Sequence, residues 1–524
     1  MPTLNWIGKE KVINHHRDVP FKILEHKYGF NDTDGEIKEP VNSGNKIIHG
    51  DNLEALKSLL PEYEGKIKCI YIDPPYNTGN ENWVYNDNVN HPKIKKWLEA
   101  TLKAKESGKE AAIGIDDLAR HDKWLCMMYP RLKLLHKLLA DDGAIFISID
   151  DNEQANLKFI CDEIFGINNM VTNIHWKRSE SQNNNSKLLS VVGEFIICYL
   201  KNKEGKSFNK TELQETAINE YRYEDENGKF RRGTIVDNSR GKHILEITSP
   251  NGITKTIKSI RTREFFDEKE KEGLIYWTST GTPYLKLYLE KSEGQTSSNW
   301  FDKAGVNEDA SEELTKIGIN FPFSKPYKLI DKILKISTSP NDIVLDSFAG
   351  SGTTAHAVLN LNNQDEGCRK FILVEMEDYA NTITAERVKR VINGYGDKEG
   401  TGGSFDYYEL GKPLFVGENN EYLNEEVDTK KIREYIWYSE TRKAFEHPKT
   451  KSDTPYFLGK KEGTAYYFIY EKESLTTLDY DTLSTIKTKA GQYVIYADNC
   501  LLPKDFMMKK NIVFKKIPRD VTRF

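Results

Sequence analysis

An α/β fold is predicted from three features of the sequence. Apolar runs of strand length alternate with helix-period segments, a long change of texture interrupts them once, and the alternation then resumes. The first series opens with KIIHG (46–50) as a strand and NLEALKSLL (52–60) as a helix with apolar residues at helical spacing. KIKCIYID (66–73) follows as a short apolar strand, of the kind buried on both faces of a parallel sheet. HDKWLCMMYPRLKLLHKLLA (121–140) carries a long helical pattern despite Pro130, and AIFISID (144–150) is the next strand after the Asp142-Gly143 turn. A helix over 153–165 and strands near 171–176 and 194–200 complete this half. The second series is a helix at YKLIDKILKI (327–336), a strand at NDIVLDSF (341–348), a helix at TTAHAVLNL (353–361), a strand at KFILVEM (370–376) and a helix across 380–392.

With 524 residues the chain exceeds the ~250–300 at which single cores stop growing, so two or three domains are expected. Residues 1–45 read as an irregular lead-in, 46–200 as the first half of an α/β domain and 321–393 as its second half. Between them, 201–320 is an insertion of short β-like pieces and charge-rich turns such as EDENGKF and DEKEKEG. The stretch 77–120 is polar and Asn-rich, a long loop with a helical part. The Gly-rich 394–404 reads as a linker, and 405–524 as a last α/β region with β-like runs AYYFIYE (465–471) and QYVIYAD (492–498).

Composition excludes some classes and leaves others open. No stretch approaches the ~18 apolar residues of a membrane span. The opening MPTLNWIGKEKVINHHRD has charges where a signal peptide is apolar, so a cytoplasmic protein without membrane partners is expected. Six scattered cysteines without CxxC pairing suggest neither a disulfide framework nor a metal site. A net charge of −5 and a pI near 6.2 do not announce a nucleic-acid binder, although a local basic groove is sufficient for one.

The sharpest motif is Asp73-Pro74-Pro75-Tyr76, at the carboxyl end of an apolar strand, where open α/β sheets bind ligands. The two prolines hold the backbone extended and remove two N–H donors, leaving carbonyl oxygens and a carboxylate beside an aromatic ring. That set suits a planar base with an amino group: oxygens accept the amine protons while the ring stacks on the base. The same letters also describe a proline-rich turn that merely caps a strand, a reading the Asp and the following Asn77-Thr78-Gly79 weaken.

The second motif is Asp346-Ser347-Phe348-Ala349-Gly350-Ser351-Gly352-Thr353-Thr354, between a strand and a helix. Its glycines allow a tight turn and a close ligand approach at a helix N-terminus. It lacks the GK[ST] of a phosphate loop and the third glycine of the dinucleotide fingerprint. Glu375 ends the next strand, about 20 residues on, where an acid binds ribose hydroxyls. A nucleoside ligand without phosphate-anchoring lysine fits, and S-adenosylmethionine is one.

Together these motifs resemble the amino-methyltransferases of DNA, adenine-N6 class: D-P-P-Y as acceptor motif, F-x-G-x-G (348–352) as cofactor motif. The acceptor motif comes first, an insertion follows and the cofactor motif comes last, which matches the circularly permuted β group. IDPPYNTGN (72–80), WVYNDNVN (83–90), HDKWLCMMYPRL (121–132), SFAGSGTTAHAV (347–358) and the tail NIVFKKIPRD (511–520) resemble the modification (Mod) subunits of type III restriction-modification systems and their solitary relatives.

The resemblance implies a Rossmann-like S-adenosylmethionine-dependent methyltransferase fold, with 201–320 as target-recognition domain and double-stranded DNA as substrate. Asp73 and the Pro74 carbonyl then hold the adenine amine and Tyr76 stacks on the flipped base. Phe348, Ala349, Gly350, Ser351 and Gly352 pass along the cofactor, with Asp346 near its amino group and Glu375 on the ribose. Asp51 matches a position near the cofactor's adenine and reads equally as a helix N-cap. Lys325, before Pro326, matches a segment beside the cofactor and reads equally as a plain helix start. For DNA contact the candidates are Asn77, Trp176, Lys177, Arg178, Arg231 and Arg232. A solvated surface, or a core position for Trp176, explains them as well. The family implies a homodimer and a separate Res subunit for cleavage, with 405–524 as the region for such contacts. Three readings compete with the type III one: a solitary or phage-defence adenine methyltransferase, a cytosine-N4 or protein-glutamine enzyme, and a non-catalytic specificity subunit. The former pair of acceptors usually carry Ser or Asn where Asp73 stands, and neither motif here is eroded.

Overall fold

The computed structural model describes residues 3–79, 114–182, 187–417, 420–446 and 454–522. It divides into two compact units, Met1–Ser207 with Asn299–Phe524, and Phe208–Ser298. The family-like segment at 83–90 and most of the expected loop over 77–120 lie outside the described residues.

The larger unit is built on an 11-stranded sheet among the described residues. In chain order its strands are β1 (Lys22–Asn31), β2 (Gly35–Ile37), β3 (Lys46–His49), β4 (Ile67–Ile72), β5 (Leu139–Ile149) and β6 (Met170–Lys177). Then come β7 (Gly193–Leu200), β8 (Trp300–Phe301), β9 (Ile343–Asp346), β10 (Lys370–Glu375) and β11 (Ser404–Pro413). Their spatial order is β8-β6-β7-β5-β4-β9-β10-β3-β11-β1-β2. The central run from β5 to β11 is parallel throughout. β7 runs antiparallel to β5 and β6, and β1 antiparallel to β11 and β2.

Apolar side chains dominate both faces of the central strands because helices cover both faces. Ile70 and Ile72 of β4 share a core with Leu56, Leu59 and Leu60 of α1 (Asn52–Tyr63), Leu132 and Leu135 of α2 (Gly114–Leu138) and Ile160 of α3 (Gln154–Phe165). α4 (Tyr327–Ser337) and α5 (Thr353–Asp365) bury Leu329, Ile330, Ile333 and Val358. The chain leaves β4 toward β5 on one side and β9 toward β10 on the other. The progression therefore reverses between β4 and β9, which is the topological switch point where such sheets bind ligands.

Four sequence boundaries are corrected. Residues 1–45 are not an irregular lead-in: β1 pairs with β11 from Lys22 opposite Pro413 to Asn31 opposite Ser404. Its charge-rich KILEHKYGFN hid a strand whose partner lies far along the chain. The linker 394–404 is a short hairpin, Gly394–Tyr395 with Lys398–Glu399, that feeds directly into β11. The insertion is narrower than 201–320, because Trp300 and Phe301 rejoin the main sheet beside His175 and Trp176. The last region is not separated from the main unit by that linker. β11 belongs to the central sheet, and Tyr435 and Ile436 of the helix Thr429–Thr441 enter the α1 core. Beyond it stands a four-stranded sheet, Phe457–Lys461, Thr464–Phe468, Gln492–Ala497 and Ile512–Lys516, parallel over its last three strands.

The smaller unit is β-rich, as its alternating short pieces predict. A four-stranded sheet and the hairpin His243–Thr248 with Thr254–Ser259 enclose Leu245, Ile247, Ile257, Phe266 and Ile275. Among the described residues no helix is long and apolar enough to cross a membrane.

Candidate active site

Asp73 directly follows β4, and the turn Asp346–Gly352 begins at the end of β9, the neighbouring parallel strand. The two motifs, more than half the chain apart, meet because these strands pair across the switch point.

On the acceptor side, the Pro75 carbonyl accepts a hydrogen bond from the buried Trp124 indole at 2.7 Å. Pro75 therefore anchors the turn to α2. The Tyr76 hydroxyl donates to Glu194 Oε2 at 2.9 Å, and Arg178 donates to Glu194 Oε1 at 3.1 Å. Lys325 donates to Asp73 Oδ2 at 2.6 Å, while Asp73 Oδ1 is buried without a hydrogen-bond partner among the described residues. The Lys325 side chain, expected beside the cofactor loop, thus reaches to the acceptor motif. Its carbonyl alone touches the loop, 3.3 Å from Thr353 Oγ1.

On the glycine-turn side, Gly350 and Gly352 have φ of +50° and +82°. A side chain at Gly352 would set Cβ 3.0 Å from the Thr384 carbonyl, so glycine is required twice over. Thr384 sits in a π-turn (Asn381–Ala385) ahead of α6 (Glu386–Asn393), and its hydroxyl donates to the Gly350 carbonyl at 2.5 Å. Glu375, at the end of β10, accepts from Gly350 N–H at 2.7 Å and Glu377 N–H at 3.0 Å. Asp346 accepts from Thr354 at 2.6 Å and Phe348 N–H at 3.0 Å. Ala349 N–H donates to the Val374 carbonyl at 3.1 Å. The Ser351 hydroxyl turns inward and meets the buried Arg387 guanidinium at 2.7 Å, leaving that residue's backbone to face the turn. Asp51 caps α1, accepting from Leu53 and Glu54 N–H, and the neighbouring Asn52 donates to the Ser347 carbonyl at 3.1 Å.

Burial pushes the Asp346 carboxyl up to about 7, with Asp73 and Glu375 adding to the rise against the Thr354 and Phe348 hydrogen bonds. Burial likewise raises Glu375 to about 7, against the backbone N–H groups of Glu377, Gly350 and Met376. Both carboxyls hold protons in the folded state over a pH range where the unfolded chain has lost them. These two groups therefore make stability fall as pH rises from about 4 to about 7. The melting temperature is expected to drop less over that window in Glu375→Gln than in the native chain; an equal drop in both would refute the assignment to Glu375.

The DNA candidates fare differently. Asn77 is fully buried at φ +60°, its amide donating to Glu153, so it organises the turn and does not face outward. Trp176 is a core residue whose indole donates to the Gly305 carbonyl at 2.8 Å. Lys177 pairs with Glu180, and Arg178 with Glu194. Arg231 and Arg232 lie in the smaller unit, Arg231 3.5 Å from Glu220 and Arg232 stacked 4.2 Å from the Tyr223 ring centroid and 4.6 Å from that of Tyr276. Sequence reasoning missed Glu194, Trp124 and Arg387. Only Glu194 left a trace, as a lone acid at the open end of the apolar strand GEFIICYL.

A family model described as DNA methylase matches residues 67–386. The chain is 37% identical over 358 residues to the StyLTI Mod subunit, a type III restriction-modification enzyme subunit of Salmonella typhimurium, covering 66% of this chain and 55% of that one. To the EcoPI Mod subunit of Escherichia phage P1 it is 31% identical, covering 72% and 64%. To the type II methyltransferase M.KpnI of Klebsiella pneumoniae it is 30% identical, covering 67% and 85%. The chain thus spans between half and two thirds of the length of the two Mod subunits.

Proposed function

The chain belongs to the DNA methylase family, and on that premise we propose that it moves a methyl group from S-adenosylmethionine to N6 of an adenine at a specific DNA site. In this reading it is the modification component of a type III-like restriction-modification system. The carrying observation is the adjacency of two strand ends, Asp73–Tyr76 after β4 and Asp346–Gly352 after β9. Similarity to Mod subunits supports the type III assignment, which calls for a separate Res subunit as partner. The narrower Phe208–Ser298 unit is the proposed target-recognition domain.

The residues present suit the cofactor. The backbone at Gly350, where the nearest atom to a Cβ would be the Phe321 ring at 3.6 Å, offers close approach, and the buried Asp346 and Glu375 carboxyls match a ligand bearing a cationic amino group and ribose hydroxyls. When bound, S-adenosylmethionine supplies an electrophilic methyl on a sulfonium. Glu375 would accept from the ribose hydroxyls, Asp346 would hold the amino group, and Asp51 would serve the adenine.

Adenine N6 is a poor nucleophile because its lone pair is delocalised into the ring. Asp73 and the Pro74 carbonyl accept hydrogen bonds from the amine and draw that lone pair out of conjugation, and the one proton that N6 sheds as it gains the methyl leaves by way of the Asp73 carboxylate to solvent. Tyr76, its hydroxyl tied to Glu194, offers a ring of fixed orientation for stacking. The base must leave the duplex to reach this pocket, at a cost of a few kcal/mol. Most of the acceleration then comes from holding two reactants in place.

Protonation of Asp346 removes the charge proposed to attract the ligand's ammonium, and protonation of Glu375 weakens it as an acceptor for the ribose hydroxyls. Affinity for S-adenosylmethionine is expected to weaken on the order of tenfold from pH 8 to pH 6, with the bend near pH 7. Calorimetric titration across that range reads it, and a flat profile refutes it. The reading as a whole is tested by single-molecule sequencing of DNA from a methylation-free host expressing the chain. N6-methyladenine at one motif supports it. Modified cytosine, or no modification from soluble protein that binds S-adenosylmethionine, overturns it. Modification of one strand only favours the type III assignment.

A further inference from the structure

Resting on the reading of Asp73 as acceptor of the target amine, we propose that Lys325 is a positioning residue for methyl transfer. It pins one oxygen of the Asp73 carboxylate so that the other is presented to the amine.

The two oxygens of this carboxylate are not equivalent. Oδ2 takes the Lys325 ammonium at 2.6 Å, a charge-assisted contact between side chains only 10% and 22% exposed. Oδ1 is buried with no hydrogen-bond partner among the described residues. A buried acceptor left unpaired is costly, and the cost is recovered when a donor reaches it. The terminal torsion of an aspartate is broad, so an unpinned carboxylate rocks through a wide range of orientations. The lysine removes that freedom.

Lys325 is itself held from several sides. Its Nζ lies 3.9 Å from Glu194 Oε2, 5.0 Å from the Tyr76 ring centroid and 6.0 Å from the Trp176 ring. Glu194 in turn takes the Tyr76 hydroxyl and the Arg178 guanidinium. The ring proposed to stack on the base and the carboxylate proposed to accept its amine are thereby registered to one ammonium. At the backbone, Lys325 precedes Pro326, the N-cap of α4, and its carbonyl meets Thr353 Oγ1 at the start of α5. One residue thus spans both strand ends of the switch point, which gives it a reason to lie so far in sequence from the group it serves.

The test is a double-mutant cycle on the full chain, reading kcat and KM for DNA, with S-adenosylmethionine affinity and melting temperature as controls. Lys325→Met is expected to lower kcat on the order of 10²-fold, the penalty for misplacing a reacting group by about 1 Å, with KM and cofactor affinity changed less than about threefold. Lys325→Arg is expected to recover most of that loss. Because Lys325 acts through Asp73, adding Lys325→Met to Asp73→Asn is expected to slow the enzyme no further than Asp73→Asn alone. Multiplying effects, a normal kcat in Lys325→Met, or a loss confined to cofactor affinity would each overturn the proposal. A slow Asp73→Asn beside a normal Lys325→Met rejects the role of Lys325 alone, whereas near-native rates in both Asp73→Asn and Asp73→Ala reject the underlying reading of Asp73. If Lys325→Met does not fold, Lys325→Gln carries the same comparisons.

Discussion

Replacing Asp73 by alanine is expected to lower methyl transfer on the order of 10²–10³-fold, the usual loss when one preorganised hydrogen-bonding group leaves an active site. The cofactor affinity is expected to stay within about threefold, because the turn that holds it is built from β9 and β10 and not from β4. Alanine also strands the Lys325 ammonium, which is only 10% exposed, and Glu194 at 3.9 Å is the acidic group left near it. Some loss of stability is therefore expected, and removing one partner of a buried pair typically costs about 3–5 kcal/mol where nothing compensates. Asp73→Asn separates the two effects, since the carboxamide keeps the shape and an acceptor oxygen. Single-turnover rates with saturating cofactor, beside thermal melts, make the comparison. A near-native rate in both variants would remove Asp73 from the chemistry.

The second large effect is expected on cofactor binding. Glu375→Ala takes away the acceptor of two backbone N–H groups, Gly350 and Glu377, together with the carboxylate proposed for the ribose. Hydrogen bonds to a charged group contribute about 1.5–3 kcal/mol each, so S-adenosylmethionine affinity is expected to fall on the order of 10²-fold. The rate at saturating cofactor should suffer less, because Asp73 and Tyr76 belong to another strand end. Equilibrium binding followed by activity at high cofactor concentration distinguishes the two, and unaltered affinity would contradict the assignment of Glu375.

Both effects were legible in part from the sequence, because each motif is local. Asp73-Pro74-Pro75-Tyr76 and Phe348–Gly352 each declare a strand end followed by a turn, and the apolar runs before them declare buried parallel strands. What the sequence left undecided was the setting of single side chains whose partners lie elsewhere. Asn77, a candidate for DNA contact, is buried with its amide donating to Glu153 at the foot of α3. Lys325 read either as part of a segment beside the cofactor or as a plain helix start; it does stand just before α4, and its ammonium crosses to Asp73. Lys177 and Arg178 read either as DNA contacts or as a solvated surface; each has an acid in reach, and the acid facing Arg178 is the buried Glu194. β1 escaped notice for the same reason, since its strand character comes from pairing with β11 and not from its own pattern.

The sequence alone determined the class of the fold, the order of its halves around an insertion and the two motifs, because strand burial, turn chemistry and glycine requirements are written within a few residues of one another. Only the tertiary structure decided that β4 and β9 lie side by side, that Glu194 and Lys325 gather at Asp73 and Tyr76, and that one Asp73 carboxylate oxygen is buried without a hydrogen-bond partner among the described residues. Those facts depend on strand order and on which charged groups burial forces together. Both are set by contacts between residues hundreds of positions apart, and neither leaves a periodic trace along the chain.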